Sequence, residues 1–168
     1  MLKLFISIVL VLGLVLGSSS WVLSGDVYAE IVDYGIYTAE VEKTAKEEGA
    51  AVEVRHEAKD WKMVKTTTNI PMKLGTRFGV LFNLKGKPEG TKIKLRNITI
   101  YPKQGLTNPK TGKTYHKNEF YFTYTIGGIN GHLHGFDEPL EMVSGQWTFQ
   151  IWDGNNKILE KIFTTYKP

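Results

Sequence analysis

From Arg77 to Leu84 the chain reads Arg-Phe-Gly-Val-Leu-Phe-Asn-Leu, with Phe78, Val80, Phe82 and Leu84 at every second position. Side chains alternate between the two faces of a strand, so this run presents one apolar face. The other face carries Arg77, Gly79 and Asn83. A helix would not sort these residues in this way. The pattern recurs further along: Phe120, Phe122 and Tyr124 alternate with Tyr121 and Thr123, and Trp147, Phe149 and Ile151 alternate with Thr148, Gln150 and Trp152. Turn-forming segments separate the runs. Gly86 to Gly90 (GKPEG) and Asp153 to Asn156 (DGNN) are two of them. The second joins Trp147–Trp152 to Lys157–Tyr166 as a hairpin.

Further strands are expected at Ile31–Val41, with a bulge or kink at Gly35, at Ala51–His56, and at Trp61–Ile70 before Pro71. The charged stretch Glu40–Gly49 reads as a loop or single turn, with a short surface helix ended by Gly49 as the alternative. Lys92–Tyr101 changes phase, because Ile93 and Leu95 point one way while Ile98 and Ile100 point the other. That requires a bulge near Arg96–Asn97 or cover on both faces. Gln104–Lys113, dense in Gly, Pro, Asn and Thr, is expected as an exposed flexible loop. Seven or eight short strands without a convincing helix imply an all-β fold, an antiparallel two-sheet sandwich of immunoglobulin-like type, with a small barrel as the alternative. The expected core holds Phe78, Val80, Phe82, Ile98, Ile100, Phe122, Trp147, Phe149 and Ile151.

The first 29 residues read as a leader. Met1-Leu2-Lys3 is positive, and Leu4–Gly17 carries no charge. As a helix those 14 residues rise about 21 Å, short of the roughly 30 Å hydrocarbon core, which suits a signal peptide. Val27-Tyr28-Ala29 supplies small residues for cleavage before Glu30, leaving one domain over residues 30–168 and no stable membrane span. The alternative is an uncleaved N-terminal anchor, because Trp21-Val22-Leu23 extends the apolar run. Both place the domain outside the cytoplasm, periplasmic or secreted. Cleavage removes Lys3 and Asp26 together, so the net charge of +4 is unchanged.

The chain has no cysteine, which excludes disulfides, thiolate metal sites and a cysteine nucleophile. Beyond the leader, Ser144 is the single serine, and Val-Ser-Gly-Gln is not a nucleophile elbow. Asp137, Glu138 and Glu119 are the carboxylates considered for glycoside hydrolysis. Trp61, Trp147, Trp152, Tyr121 and Tyr124 are aromatics on which a sugar ring would stack, although packing in the core or hairpin is the simpler expectation. His132-Leu133-His134 is a weak metal candidate, with His116 or Asp137 as a third ligand, although exposed histidines are the simpler expectation. Lys92, Lys94 and Arg96 share a strand face. A charge of +4 with no nucleic-acid motif nevertheless excludes nucleic acid as the expected partner. No cofactor is implied.

The segment Tyr101–Lys117 holds Lys103, Lys110, Lys113, Tyr115, His116 and Lys117, and no acidic residue. Such a segment attracts an acidic envelope protein or an anionic polymer. Trp152, expected to be exposed, is a second candidate binding residue. The leading expectation is a non-catalytic exported binding module of the cell envelope. An enzyme acting on extracellular or cell-wall carbohydrate is the alternative, and a periplasmic metal-binding protein is a second one.

Several short motifs occur together in one order. They are Asp33-Tyr34-Gly35-Ile36-Tyr37, Ile70-Pro71 with Leu74-Gly75-Thr76-Arg77-Phe78-Gly79, Asn108-Pro109-Lys110-Thr111-Gly112, Asp137-Glu138-Pro139, and Gly145–Trp152 with Lys157–Phe163. In these residues the chain resembles the domain of unknown function 3859 family, over roughly 31–164. The resemblance implies an immunoglobulin-like β-domain in exported bacterial proteins and carries over no catalytic residue.

Overall fold

The computed structural model describes residues 26–46, 51–52 and 54–168. The expected leader therefore lies, up to residue 25, outside the described residues. Two antiparallel sheets pack face to face. The first contains β1 (Tyr28–Lys46), β2 (Val54–Thr66), β4 (Arg77–Lys85) and β9 (Ile129–Gly135) in the order β2-β1-β4-β9. The second contains β3 (Asn69–Pro71), β5 (Lys92–Ile100), β8 (Lys117–Thr125), β10 (Gly145–Asp153) and β11 (Asn156–Tyr166) in the order β3-β11-β10-β5-β8. The short β3 runs parallel to β11. A separate ribbon pairs β6 (Leu106–Thr107) with β7 (Thr114–Tyr115), and a 3-10 turn spans Pro139–Glu141. The sandwich is thus as expected, with eleven strands among the described residues in place of seven or eight. Among those residues no helix is long and apolar enough to cross a membrane.

The core follows the alternation of β4. Phe78, Val80, Phe82 and Leu84 are all fully buried. Phe78 sits at the centre of an aromatic cluster, its centroid 5.2 Å from Phe136, 5.5 Å from Phe149 and from Phe163, and 5.8 Å from Trp147. Each such ring contributes about 1.5–3 kcal/mol through burial. The second sheet supplies the opposing residues through the β10–β11 hairpin, in which Trp147 pairs with Phe163 and Asp153 with Asn156. Gly79 is required by close approach. Its φ is +156°, and a Cβ there would meet the His132 carbonyl oxygen at 2.3 Å. Gly35, its partner on β1, has the same constraint against Lys65. The irregularities in β1 pairing flank Gly35 instead of falling on it.

Three expectations are corrected. First, Glu40–Lys46 is not a loop. β1 continues through it, pairing Glu40 with Lys59 and Lys46 with Val54. Residues 47–50 lie outside the described residues. The expected strands at Ala51–His56 and Trp61–Ile70 become β2, starting at Val54, and the short β3.

Second, β5 does not change phase. Its pairing with β8 and β10 is regular, and Leu95, Asn97 and Thr99 face inward together. Ile98 and Ile100 therefore lie on the outer face. Ile98 is buried there between Gln150 and Glu119, its partners on the flanking strands, while Ile100 is 37% exposed. Third, Phe122, paired with Leu95, sits on edge strand β8 and is 38% exposed. The packed residues also include two that precede Glu30: Val27 is 2% exposed in the core, and Tyr28 pairs with Lys85.

Candidate binding cleft and the polar cluster beneath it

Tyr101–Lys117 folds into an anchored hairpin, which corrects the flexible loop expected there. Leu106 is fully buried beside Tyr101 and Trp147, which fastens β6 to the core. Asn108 is 4% exposed. Its Oδ1 accepts from the amides of Lys110 (2.9 Å) and Thr111 (3.3 Å), and its Nδ2 donates to the Ala51 carbonyl (3.3 Å). An asparagine that hydrogen-bonds the backbone two and three residues ahead builds the turn that the following Pro-Lys-Thr-Gly needs.

The hairpin displays exposed Lys103, Lys110, Lys113 and His116. Lys113 Nζ lies 4.7 Å from the centroid of half-buried Tyr115. Lys117, exposed at the start of β8, pairs with Glu119 at 2.8 Å. Trp152 does not join this set. It stands seven residues along β10 from Gly145, roughly 23 Å away at 3.3 Å per residue. Nor is it freely exposed. Its ring is half-buried between Arg96 (5.3 Å) and Lys157 (6.0 Å), and its Nε1 donates to Gln150 Oε1 (3.0 Å).

Beside the hairpin is a cleft of about 160 Å³. Ala51, Val52, Pro109 and Leu140 give it apolar walls, and Asn108, Lys110 and Glu138 supply polar groups. Small-molecule sites usually span roughly 300–1,000 Å³. This cleft has room for one side chain or a short segment of a partner. Among the described residues its charged lining groups are Glu138 and Lys110, which are not the opposed carboxylate pair of a glycosidase.

A buried polar cluster supports the cleft from below. Glu141 is 3% exposed, and its Oε2 accepts from the amides of Asp137 (2.8 Å) and Glu138 (2.7 Å). Its Oε1 lies 3.3 Å from His134 Nε2. Asp137 receives both guanidinium nitrogens of Arg77, at 2.9 and 3.1 Å. These contacts fix the segment 137–141, which places Glu138 and Leu140 in the cleft wall.

The expectation of exposed histidines at 132 and 134 is overturned by register. His134 pairs with Phe78 and His132 with Val80, and partners across a ladder share a face, so both imidazoles turn inward. His132 is 3% exposed, stacked 4.9 Å from Phe149, with Nε2 3.0 Å from Thr99 Oγ1. The His134 ring lies 4.6 Å from Trp147. The two have separate partners, and His116 is out on the hairpin. Among the described residues no group of three or more His, Asp or Glu is placed to hold a metal ion.

Burial governs protonation in this cluster. It lowers His132 to about 3, helped by His134. It lowers His134 to about 4, with Asp137 opposing and Arg77 assisting. Burial raises Glu141 to about 7 against the pull of its two backbone hydrogen bonds. Sequence reading named the two histidines but not their burial, and missed Glu141 and buried Asn97, which accepts from the Tyr124 hydroxyl. The available signal was Leu95-Arg-Asn-Ile-Thr99 read in unbroken alternation, which puts Asn97 and Thr99 inside.

The family model described as Domain of unknown function (DUF3859) matches residues 26–165. The chain belongs to this family. The match starts at residue 26, in keeping with the burial of Val27. The crystal structure of an immunoglobulin-like protein from Pseudomonas aeruginosa superposes with a TM-score of 0.61 at 26% identity, covering 86% of this chain and 99% of that one. Among curated proteins nothing matches. Motifs that carry the DUF3859 resemblance converge on the cleft: Asn108–Lys110 and Glu138 line it, and Arg77 holds Asp137 behind it.

Proposed function

We propose that this DUF3859 domain is an exported, non-catalytic binding module that grips an acidic protein or anionic polymer of the cell envelope at the hairpin end of the sandwich. The observation that carries this reading is the anchored hairpin. Lys103, Lys110 and Lys113 stand exposed on a segment held by buried Leu106 and Asn108 beside an apolar cleft. Cations on a fixed frame lose less conformational freedom on binding than cations on a mobile loop, so more of their attraction appears as affinity. The cleft gives the partner one apolar anchor point, and the lysines steer and orient it.

Export rests on the leader. Its processing must spare Val27, since that side chain is part of the core. The proposal is tested by sedimenting the protein with envelope fractions from the producing cells, divided into protein, glycan and lipid pools. Retention by an acidic pool that salt reverses supports it. Retention that salt does not touch contradicts it.

A further inference from the structure

Among the described residues the sandwich has four sheet edges, and three are blunted. Edge strand β2 carries exposed Lys62 and Lys65, β3 is three residues long and ends at Pro71, and β9 has glycines at 131 and 135. Short strands, charges and glycine are ways in which proteins avoid unwanted strand pairing. The remaining edge, β8, is nine residues long and pairs with β5 alone among the described residues. Its stretch Phe120–Thr125 (FYFTYT) has no charge, proline or glycine. Tyr121 is 58% exposed and Phe122 38%.

We propose that β8 is a self-association edge, where a second copy of this chain adds its own β8 antiparallel about a two-fold axis at Tyr121. The register argues for a second copy. Antiparallel pairing centred on Tyr121 sets Phe120 against Phe122, Glu119 against Thr123, and Lys117 against Thr125, so no like charges stand directly opposite. On the inner face each Phe122 gains an aromatic cross-strand partner. On the outer face Lys94, which pairs with Thr123, falls in one row with Glu119 of the second copy. The reciprocal row is identical by symmetry, as an isologous interface demands. Lys92 and Lys117 of the second copy share the outermost row, separated by Thr125, where solvent screens them.

The test uses the exported protein as recovered from producing cells, in sedimentation velocity across a concentration series. Wild type dimerises with rising concentration. Tyr121→Lys and Tyr121→Glu each weaken the dimer at least tenfold while leaving the melting temperature unchanged at concentrations where wild type is monomeric, because Tyr121 is exposed in the single chain. An equimolar mixture of the two variants regains association, since opposite charges then meet at the axis. A wild type that stays monomeric overturns the proposal, as does a dimer that survives both single variants. Protection from exchange, in a monomer, of the β8 amides that point away from β5 also overturns it, since another segment of the chain would then cover the edge.

Discussion

Replacing His132 with glutamine should remove most of the acid sensitivity of this domain between pH 6.5 and 4.5. In the fold His132 stays neutral until about pH 3, while in the unfolded chain it takes a proton near 6.5. Its folded value is depressed. Neutral His132 therefore supports the fold fully above pH 6.5, and that support falls as the unfolded chain alone binds the proton. The slope grows from half of about 1.36 kcal/mol per pH unit at pH 6.5 to nearly all of it at pH 4.5, a loss of about 2 kcal/mol across the window. That is a substantial share of a stability of roughly 5–15 kcal/mol.

The neighbouring pair does not obscure this slope. Folded, His134 and Glu141 together hold one proton between about pH 4 and about pH 7, whichever of the two carries it. Unfolded, they also hold one across the window from 6.5 to roughly 4.5, on the histidine. Glu119 and Glu160 have lowered values through Lys117 and Lys157 respectively, so their contribution is lost only as pH falls to the ordinary carboxylate range. Glutamine keeps a donor near the Nε2 position, within reach of Thr99 Oγ1. Urea unfolding followed by the fluorescence of buried Trp147 at half-unit pH steps gives both slopes. The variant should start less stable and then lose about 2 kcal/mol less than wild type on going from pH 6.5 to 4.5. Parallel pH profiles would refute the reasoning.

Two further outcomes follow from the geometry. Asn108→Ala removes both turn-forming acceptor bonds and the donation to Ala51, and should destabilise the domain by about 1–3 kcal/mol in chemical denaturation. It should also weaken partner binding by releasing the hairpin. Mass spectrometry of the processed protein should find an N-terminus upstream of Val27. A mature chain starting at Glu30 would leave a hole beside Phe82 and Leu84 and would contradict the packing described.

Where the sequence spoke plainly, one physical signal dominated. Phe78–Leu84 and the Trp147–Tyr166 hairpin carry apolar alternation and turn chemistry that agree, and both formed as expected. β5 was misread because its inner face ends in Asn97 and Thr99, whose burial depends on partners supplied by β8 and β9. Polarity alone could not place them inside. His132 and His134 were likewise assigned outward, since only the β4–β9 register reveals which face they share with Phe78 and Val80. The charged extension of β1 is held by backbone pairing to β2, to which side-chain pattern is blind. The cleft was legible in pieces, as turn motifs around Asn108 and Glu138. Their meeting is a property of the topology.

The proposed partner binds the lysine-bearing hairpin end. The most direct measurement is the affinity of an anionic envelope polymer for wild type and for the Lys110→Glu, Lys113→Glu double variant, across a salt series. Two charge reversals should weaken binding by about 1–2 kcal/mol, roughly 5- to 30-fold, at low salt. They should also flatten the salt dependence while the melting temperature holds, because both side chains are exposed. Equal affinities with equal salt slopes would contradict the account.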